Sequence, residues 1–413
     1  KMLLYFCIMK IGIIREDKLP VDKRTPLTPK QCLYINEKFS ELTIYVQESS
    51  HRCFTDSEYL DLNIKVVKNL DHCDIIIGIK EIKKNNIIQG MSYIFFSHTI
   101  KKQEYNKELL KSLLSSNNTL YDYEVMKNNG KRLIGFGKYA GIVGAYNSFR
   151  AYGLKTKKFK IDKASTFNSK EEIFTILNNI QLSNEKILIT GVGNVSKGII
   201  EVLQNMSMRK VDSNEIMTKT YNEPVYSQID CLEYYKRIDN SNKDIYDFYN
   251  NPSSYVSTMK KYLSFVDILI TGHYHSELSP PIITKSDFNL KDLKLKVIGD
   301  ISCDIATAIA STIRPSTIQN PIYGYNYKSH EEDDFLKKNT IAVMAVDNLP
   351  CELPRDSSKD FGDQLIKYLI PFIADNNYFI LKNSMICKNG VLTDNFSYLK
   401  DFVSTAWVFL LFQ

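Results

Sequence analysis

The sequence predicts an α/β protein with two domains, each built on a parallel sheet. Three observations carry this. Across the first third of the chain, short apolar runs ending in polar side chains alternate with helical stretches, the pattern of strands joined by crossover helices. In mid-chain, the apolar run Lys186–Thr190 ends in Gly191-Val192-Gly193, and a helical spacing of apolar residues (Ile199, Ile200, Val202, Leu203) follows at once. Beyond it, Phe265–Gly272 and Leu295–Ser302 read as two more buried strands with polar carboxyl ends, where open parallel sheets bind ligands.

The elements follow in order. Lys10–Arg15 reads as a strand. Thr28 caps a helix that Pro29 opens and that runs to Lys38. Leu42–Gln47 and Asp74–Ile79 are strands, with a weaker one at Ile64–Val67. Ser92–Phe96 is a strand, Gln103–Leu114 a helix and Thr119–Tyr123 a strand. A long helix with small residues, Tyr139–Tyr152, leads away from the first domain. Residues 155–185 are polar and lysine-rich, with a helical piece at Glu171–Leu177. The second sheet begins at Lys186. Residues 213–262 read as a polar and aromatic insertion, and Glu331-Glu332-Asp333-Asp334 as a solvated loop. Ile341–Val346 is the last clear strand, and Asp360–Ala374 a helix after it.

At 413 residues the chain is long enough for two domains with real cores, and 44% hydrophobic content is ordinary for a globular protein. The net charge of +6 comes from scattered lysines, whereas a nucleic-acid surface needs them clustered. Eight cysteines without a C-x-x-C pair read as free thiols of a reducing, cytoplasmic environment. His273 and His275 form the one close histidine pair, and without a third ligand they give no metal site. No apolar run is long enough to span a membrane. Residues 1–8 read as an upstream extension ahead of a natural start at Met9, and Ala406–Phe412 as a tail too short to cross a bilayer.

Chemistry is suggested at two places. A turn such as Gly191–Gly193, opening a helix, lets backbone approach a pyrophosphate whose charge the helix N-terminus favours. Ser196 stands where G-x-G-x-x-G has its third glycine, so a glycine-rich turn with no ligand is the alternative. Asp212 lies about 20 residues after Gly191, where a carboxylate accepts hydrogen bonds from an adenosine ribose. In the first domain, Lys80, His98 and Glu124 each follow an apolar strand. If those strands are neighbours, the three converge on one sheet edge. Desolvation lowers a lysine pKa and histidine titrates near neutrality, so they would form an acid–base set. Singly, each is more readily a loop or core residue. Arg24 and Arg132 are possible carboxylate clamps.

Four ordered segments then bring a family into view. Tyr93–Glu104, Gly191–Gly198, Gly299–Asp304 and Val346–Pro350 resemble signature segments of the saccharopine dehydrogenase (L-lysine-forming), or lysine–2-oxoglutarate reductase, family. That family sits within the alanine dehydrogenase and transhydrogenase superfamily, and the likeness runs from Ile11 to Phe402. The resemblance implies two Rossmann-like domains with an active-site cleft between them. It implies a discontinuous substrate domain, 9–150 with 350–405, and a dinucleotide-binding domain, 151–349. The implied reaction converts saccharopine, oxidised nicotinamide cofactor and water to lysine, 2-oxoglutarate and reduced cofactor.

By likeness, Lys80 takes the proton from the secondary amine, and His98 serves water addition and carbinolamine collapse. Glu81 and Glu124 tune their pKa values. Arg24 and Arg132 hold substrate carboxylates, and Lys80, Gln103, Phe136, Ser302, Cys303 and Asp304 line the substrate site. The cofactor meets Lys131, Gly191, Gly193, Asn194, Val195, Asp212, Tyr274, Ile301, Val346, Asp347, Asn348 and Leu349. Leu19 departs from the relatives' lysine, although Lys18 is adjacent. Asp212 argues for NAD, while Arg209 and Lys210 would admit NADP. The alternatives are an alanine dehydrogenase-like enzyme and a non-catalytic nucleotide-binding regulator.

Overall fold

A computed structural model describes residues 8–276, 278–375 and 379–404. Residues 1–7 and the apolar tail from Ala406 lie outside the described residues. The chain divides into two compact units: residues up to Phe136 together with those from Pro354, and Gly137–Leu353. Among the described residues no helix is long and apolar enough to cross a membrane.

The first unit is built on six parallel strands: β1 (Met9–Ile13), β2 (Leu42–Gln47), β3 (Lys65–Val67), β4 (Ile75–Ile77), β5 (Ser92–Phe95) and β6 (Thr119–Asp122). Their order is 3-2-1-4-5-6, so the sheet reverses its direction of growth between β1 and β4. Every residue of β4 is buried, as a strand covered on both faces must be. β2 alternates buried Leu42, Ile44 and Val46 with half-buried neighbours. Helix α1 (Pro29–Lys38) starts where Thr28 caps it, and Gln31 completes a capping box. Met385–Lys388 adds an antiparallel strand beside β6, so the end of the chain completes the first sheet.

The second unit also carries an eight-stranded sheet. Its order is Arg209–Lys210, Val225–Ile229, Lys186–Thr190, Ile268–Thr271, Val297–Asp300, Thr340–Met344, Ile322–Asn326 and Glu331–Asp333. The first six run parallel, and the last two are joined on by antiparallel pairings, so only Ile322–Asn326 runs against the rest.

Three expectations change. The unit boundary falls after Phe136, not near 150, because the helix Gly137–Thr156 packs into the second core through Ile142, Tyr146 and Phe149. Its backbone crosses that of the helix Asn194–Asn205 very closely. A Cβ on Gly141 would lie 1.9 Å from the Val195 carbonyl oxygen, and one on Gly198 would lie 2.0 Å from that of Lys138. Residues 213–262 are more than an insertion, since Val225–Ile229 lies inside the sheet beside Lys186–Thr190. Glu331–Asp333 is an edge strand, not a loop; Glu332 bonds Arg314 there, and an edge tolerates such charge.

Candidate active site

In an open parallel sheet the crevice lies at the carboxyl ends of the strands flanking the switch point. In the first unit those are the ends of β1 and β4, and the charged segment that leaves β1 there includes Glu16, Lys18, Asp22 and Arg24. The buried Glu16 carboxylate accepts hydrogen bonds from the backbone N–H of Ile79 (2.6 Å) and Lys80 (2.9 Å). It thereby ties the exit of β4 to that of β1. Burial, and then the charge of Asp22, push its carboxyl up to about 8.

Lys80 is half-buried at this point. Burial, then the positive charges of Arg24 and Lys18, lower its ammonium below the usual lysine range, against the opposing pull of Glu81 and Asp22. Arg24 is itself buried and forked onto Asp22, with Nε–Oδ1 at 2.9 Å and Nη2–Oδ2 at 2.6 Å. Its guanidinium lies 4.1 Å from the centre of the Phe136 ring, which stacks on Phe361. Burial acts to raise Asp22, and Arg24 outweighs it, leaving that carboxyl below its ordinary range.

Glu81 is the hub of the next cluster. Its Oε1 lies 2.9 Å from His98 Nδ1, and Lys18 Nζ donates to both its oxygens, at 3.0 and 2.8 Å. Burial works to raise Glu81, but the bonds from His98 and Lys18 prevail and bring it down to about 2. So Lys18 supplies an ammonium here, while Leu19 is exposed. His98 leaves β5 in the left-handed region (φ 53°), just after Ser97, whose N–H and hydroxyl both bond Asp122 at the end of β6. The imidazole lies nearly parallel to the Phe96 ring.

Glu124 belongs to a neighbouring group, paired with Lys101 (3.1 Å) and Arg132 (3.4 Å); its buried Oε2 has no partner among the described residues. Arg132 and Lys131 are exposed on a short hairpin, and Gln103 is exposed and accepts a bond from Tyr105. Of the expected trio Lys80, His98 and Glu124, His98 bonds Glu81 next to Lys80, while Glu124 is held by Lys101 and Arg132 instead. Glu16 and Asp22 escaped the sequence reading. Their signal was the polar run from Arg15 to Arg24 directly after a buried strand.

In the second unit, four adjacent parallel strands end in the predicted cofactor residues. Gly191 has φ +85°, and a Cβ there would lie 2.7 Å from the Gly272 carbonyl oxygen, so only glycine fits. Gly193 faces open space, and Asn194 and Val195 open the following helix. Ser196 takes the missing third glycine's place for a reason: its hydroxyl donates to the carbonyls of Thr190 (3.2 Å) and Gly272 (3.3 Å). Gly198 supplies the close helix packing instead.

Tyr274 follows the next strand and is 87% exposed. Ile301 donates its N–H to Thr271 Oγ1. Ser302 bonds the buried Asp300, and Cys303 Sγ bonds the Ala345 carbonyl. Asp304 is half-buried beside them. Val346 bridges to Ser316, Asp347 is exposed, Asn348 is half-buried and Leu349 is buried. A Cβ on Gly144 would meet both Ile301 and Leu349, so the helix Gly137–Thr156 backs this turn directly.

Asp212 does not stand at the end of the strand beside the glycine turn. Arg209–Lys210, which leads to Asp212, is the sheet edge, and Val225–Ile229 separates it from the glycine-turn strand. Asp212 is exposed and accepts from the N–H of Asn214. The residue at the end of the adjacent strand is Asp230. Immediately before it, the Ile229 carbonyl accepts the Gly191 N–H (2.8 Å), and the Gln228 amide donates to the Gly191 carbonyl (3.0 Å). Arg209 is drawn away onto Glu223. The turn, the helix start and Asp230 together fit a dinucleotide: backbone access for phosphates, a carboxylate for ribose hydroxyls.

The description "Alanine dehydrogenase/PNT, N-terminal domain" matches residues 12–143, and "Alanine dehydrogenase/PNT, C-terminal domain" matches residues 164–400. The chain is 27% identical to the alpha-aminoadipic semialdehyde synthase, mitochondrial, of Rattus norvegicus, over 94% of this chain and 47% of that protein. It thus spans about half the length of that relative. It is 27% identical to the saccharopine dehydrogenase (NAD(+), L-lysine-forming) of Candida glabrata, over 86% of this chain and 90% of that one. Among solved structures, an L-alanine dehydrogenase superposes with a TM-score of 0.61 at 14% identity, covering 93% of this chain and 97% of its own, a likeness of fold. With both domain descriptions matched, one of them over more than half its length, the chain belongs to the alanine dehydrogenase/PNT family.

Proposed function

We propose that the chain is a nicotinamide-dependent oxidoreductase interconverting saccharopine with L-lysine and 2-oxoglutarate. The observation that carries this is the pairing of a lysine of lowered basicity, Lys80, with the Glu81–His98 dyad at the switch point of one sheet. The saccharopine dehydrogenase relatives support the substrate assignment. A bound nicotinamide dinucleotide supplies the hydride acceptor or donor.

The side chains supply the rest. Lys80, its basicity lowered by burial, takes the proton of the substrate's secondary amine as the imine forms. Glu81 holds His98 through Nδ1, which presents Nε2 to the water that adds to the imine and to the carbinolamine that then collapses. After burial, the Arg24 charge is the largest influence that lowers the basicity of Lys80. Arg132, exposed, is the carboxylate clamp. A smaller-substrate reading, pyruvate with ammonia, draws on the alanine dehydrogenase/PNT domains and on the fold shared with L-alanine dehydrogenase. Mass spectrometry of products from lysine, 2-oxoglutarate and reduced cofactor separates the two: saccharopine supports the proposal, and activity confined to pyruvate with ammonia overturns it.

NAD is the cofactor this reading favours, with Asp230 as the ribose ligand. Asp230→Ser is expected to weaken NADH binding roughly ten- to hundred-fold, the loss of charge-assisted hydrogen bonds of about 1.5–3 kcal/mol. It should also relax discrimination against NADPH, while Asp212→Ser leaves both unchanged. Calorimetric titration of the two variants checks this, and a larger effect at Asp212 would reverse the assignment.

A further inference from the structure

Glu352 is a buried carboxylate that the proposed chemistry does not use. It lies three residues beyond Leu349 and is 2% exposed. Asn147, fully buried on the helix Gly137–Thr156, donates its Nδ2–H to Glu352 Oε1 at 2.8 Å. The other atom of each group, Asn147 Oδ1 and Glu352 Oε2, is buried and has no hydrogen-bond partner among the described residues. Both are acceptors if Glu352 is charged, and two orphaned acceptors in one buried pair are costly. A single proton on Oε2 removes both defects. Donated to Oδ1, it would close an eight-membered acid–amide ring with two parallel hydrogen bonds.

We propose that Glu352 keeps this proton and, through the closed ring with Asn147, locks the Val346–Leu349 turn onto the helix Gly137–Thr156. The proposal rests on the reading of that turn as part of the cofactor site. Glu352 is then a positioning residue. One turn earlier on the same helix, Gly144 packs against Ile301 and Leu349, so the ring holds the turn from its far end.

The surroundings favour the neutral form. Burial dominates and pushes the Glu352 carboxyl up to about 7; the Asn147 bond, the Ser165 backbone, Arg150 and Lys163 oppose it. From the facing elements, Arg150 Nε is taken up by the Ile161 carbonyl, Lys163 Nζ by the Gln319 carbonyl, and Tyr146 Oη by the Asp162 carbonyl. A folded-state value above the ordinary 4.5 means stability that is full below pH 4.5 and is lost as pH rises to about 7.

Glu352→Gln tests this, because glutamine reproduces the donor and acceptor of the protonated acid. Thermal unfolding of the full chain is followed from pH 4.5 to 8.5, with NADH dissociation constants measured across the same range. The expected result is a melting-temperature gap in favour of the variant that opens between pH 4.5 and about 7 and then stays level. The parent's NADH affinity should fall as pH passes through about 7, where the folded-state carboxyl loses its proton, and the variant's should not. A gap that does not change with pH, or a variant that fails to fold, overturns the shared proton. A pH-dependent gap with parallel NADH affinities overturns the coupling to the turn. Absence of NADH binding to either protein at every pH sinks the cofactor reading itself, separately from the unfolding result.

Discussion

Replacing Lys80 with methionine is expected to cut turnover about 10²- to 10⁴-fold, the usual worth of a positioned acid–base group. Methionine keeps the length and apolar stem but has no proton to exchange. The Lys80 backbone would still be held by Glu16, and the Glu81–His98–Lys18 cluster would remain, since none of its hydrogen bonds uses the Lys80 side chain. Cofactor binding should therefore be unchanged, because the glycine turn and Asp230 belong to the other unit. Initial rates and NADH titration on the same preparation check both halves. A variant with near-parental turnover would remove Lys80 from the mechanism. A variant that also loses NADH would make its role structural.

The second large effect is on stability. Arg24→Met is expected to destabilise the first unit by about 3–5 kcal/mol, because it leaves the Asp22 carboxylate buried and unpaired. Both side chains are almost inaccessible, 2% and 6% exposed, so water does not compensate. The double variant Asp22→Asn/Arg24→Met should recover most of the loss, since removing both charges removes the unpaired one. Denaturant unfolding of the parent, the single and the double variant gives the comparison. A single variant within about 1 kcal/mol of the parent would place Arg24 among exposed pairs of little worth. The double variant also probes Lys80: without the Arg24 charge beside it, its ammonium should hold its proton to higher pH, moving the alkaline rise of the saccharopine-oxidising rate upward.

Much of this site is legible in the sequence, because parallel strands are short, apolar and end in polar residues. Lys80, Glu81 and His98 stand out as the first charged or titratable residues after Ile75–Ile79 and Tyr93–Phe96. The 3-2-1-4-5-6 order makes the strands before Lys80, His98 and Glu124 neighbours, and there His98 bonds Glu81 while Glu124 pairs with Lys101 and Arg132. Glu16 and Asp22 were hidden because a polar run reads as solvated. Only the fold reveals that one is sealed under β4 and the other under Arg24.

Spacing along the chain points to Asp212 and sheet order to Asp230 as the ribose carboxylate, because distance along the chain is a poor guide where a chain visits the sheet edge before returning inward. Arg209–Lys210 comes first in sequence and lies outermost, and Val225–Ile229 follows and lies inside. The boundary near 150 erred for a related reason. Gly141 and Gly144 announce a close helix contact, but not that the partners are Val195 in one case and Ile301 with Leu349 in the other.

The most direct test of the account is the initial rate of NADH oxidation, read at its absorbance band, across a matrix of lysine and 2-oxoglutarate concentrations with purified protein. The account predicts a rate that needs both substrates, saturates in each and disappears in Lys80→Met. A rate that needs only one of them, or none in protein shown to bind NADH, would contradict it.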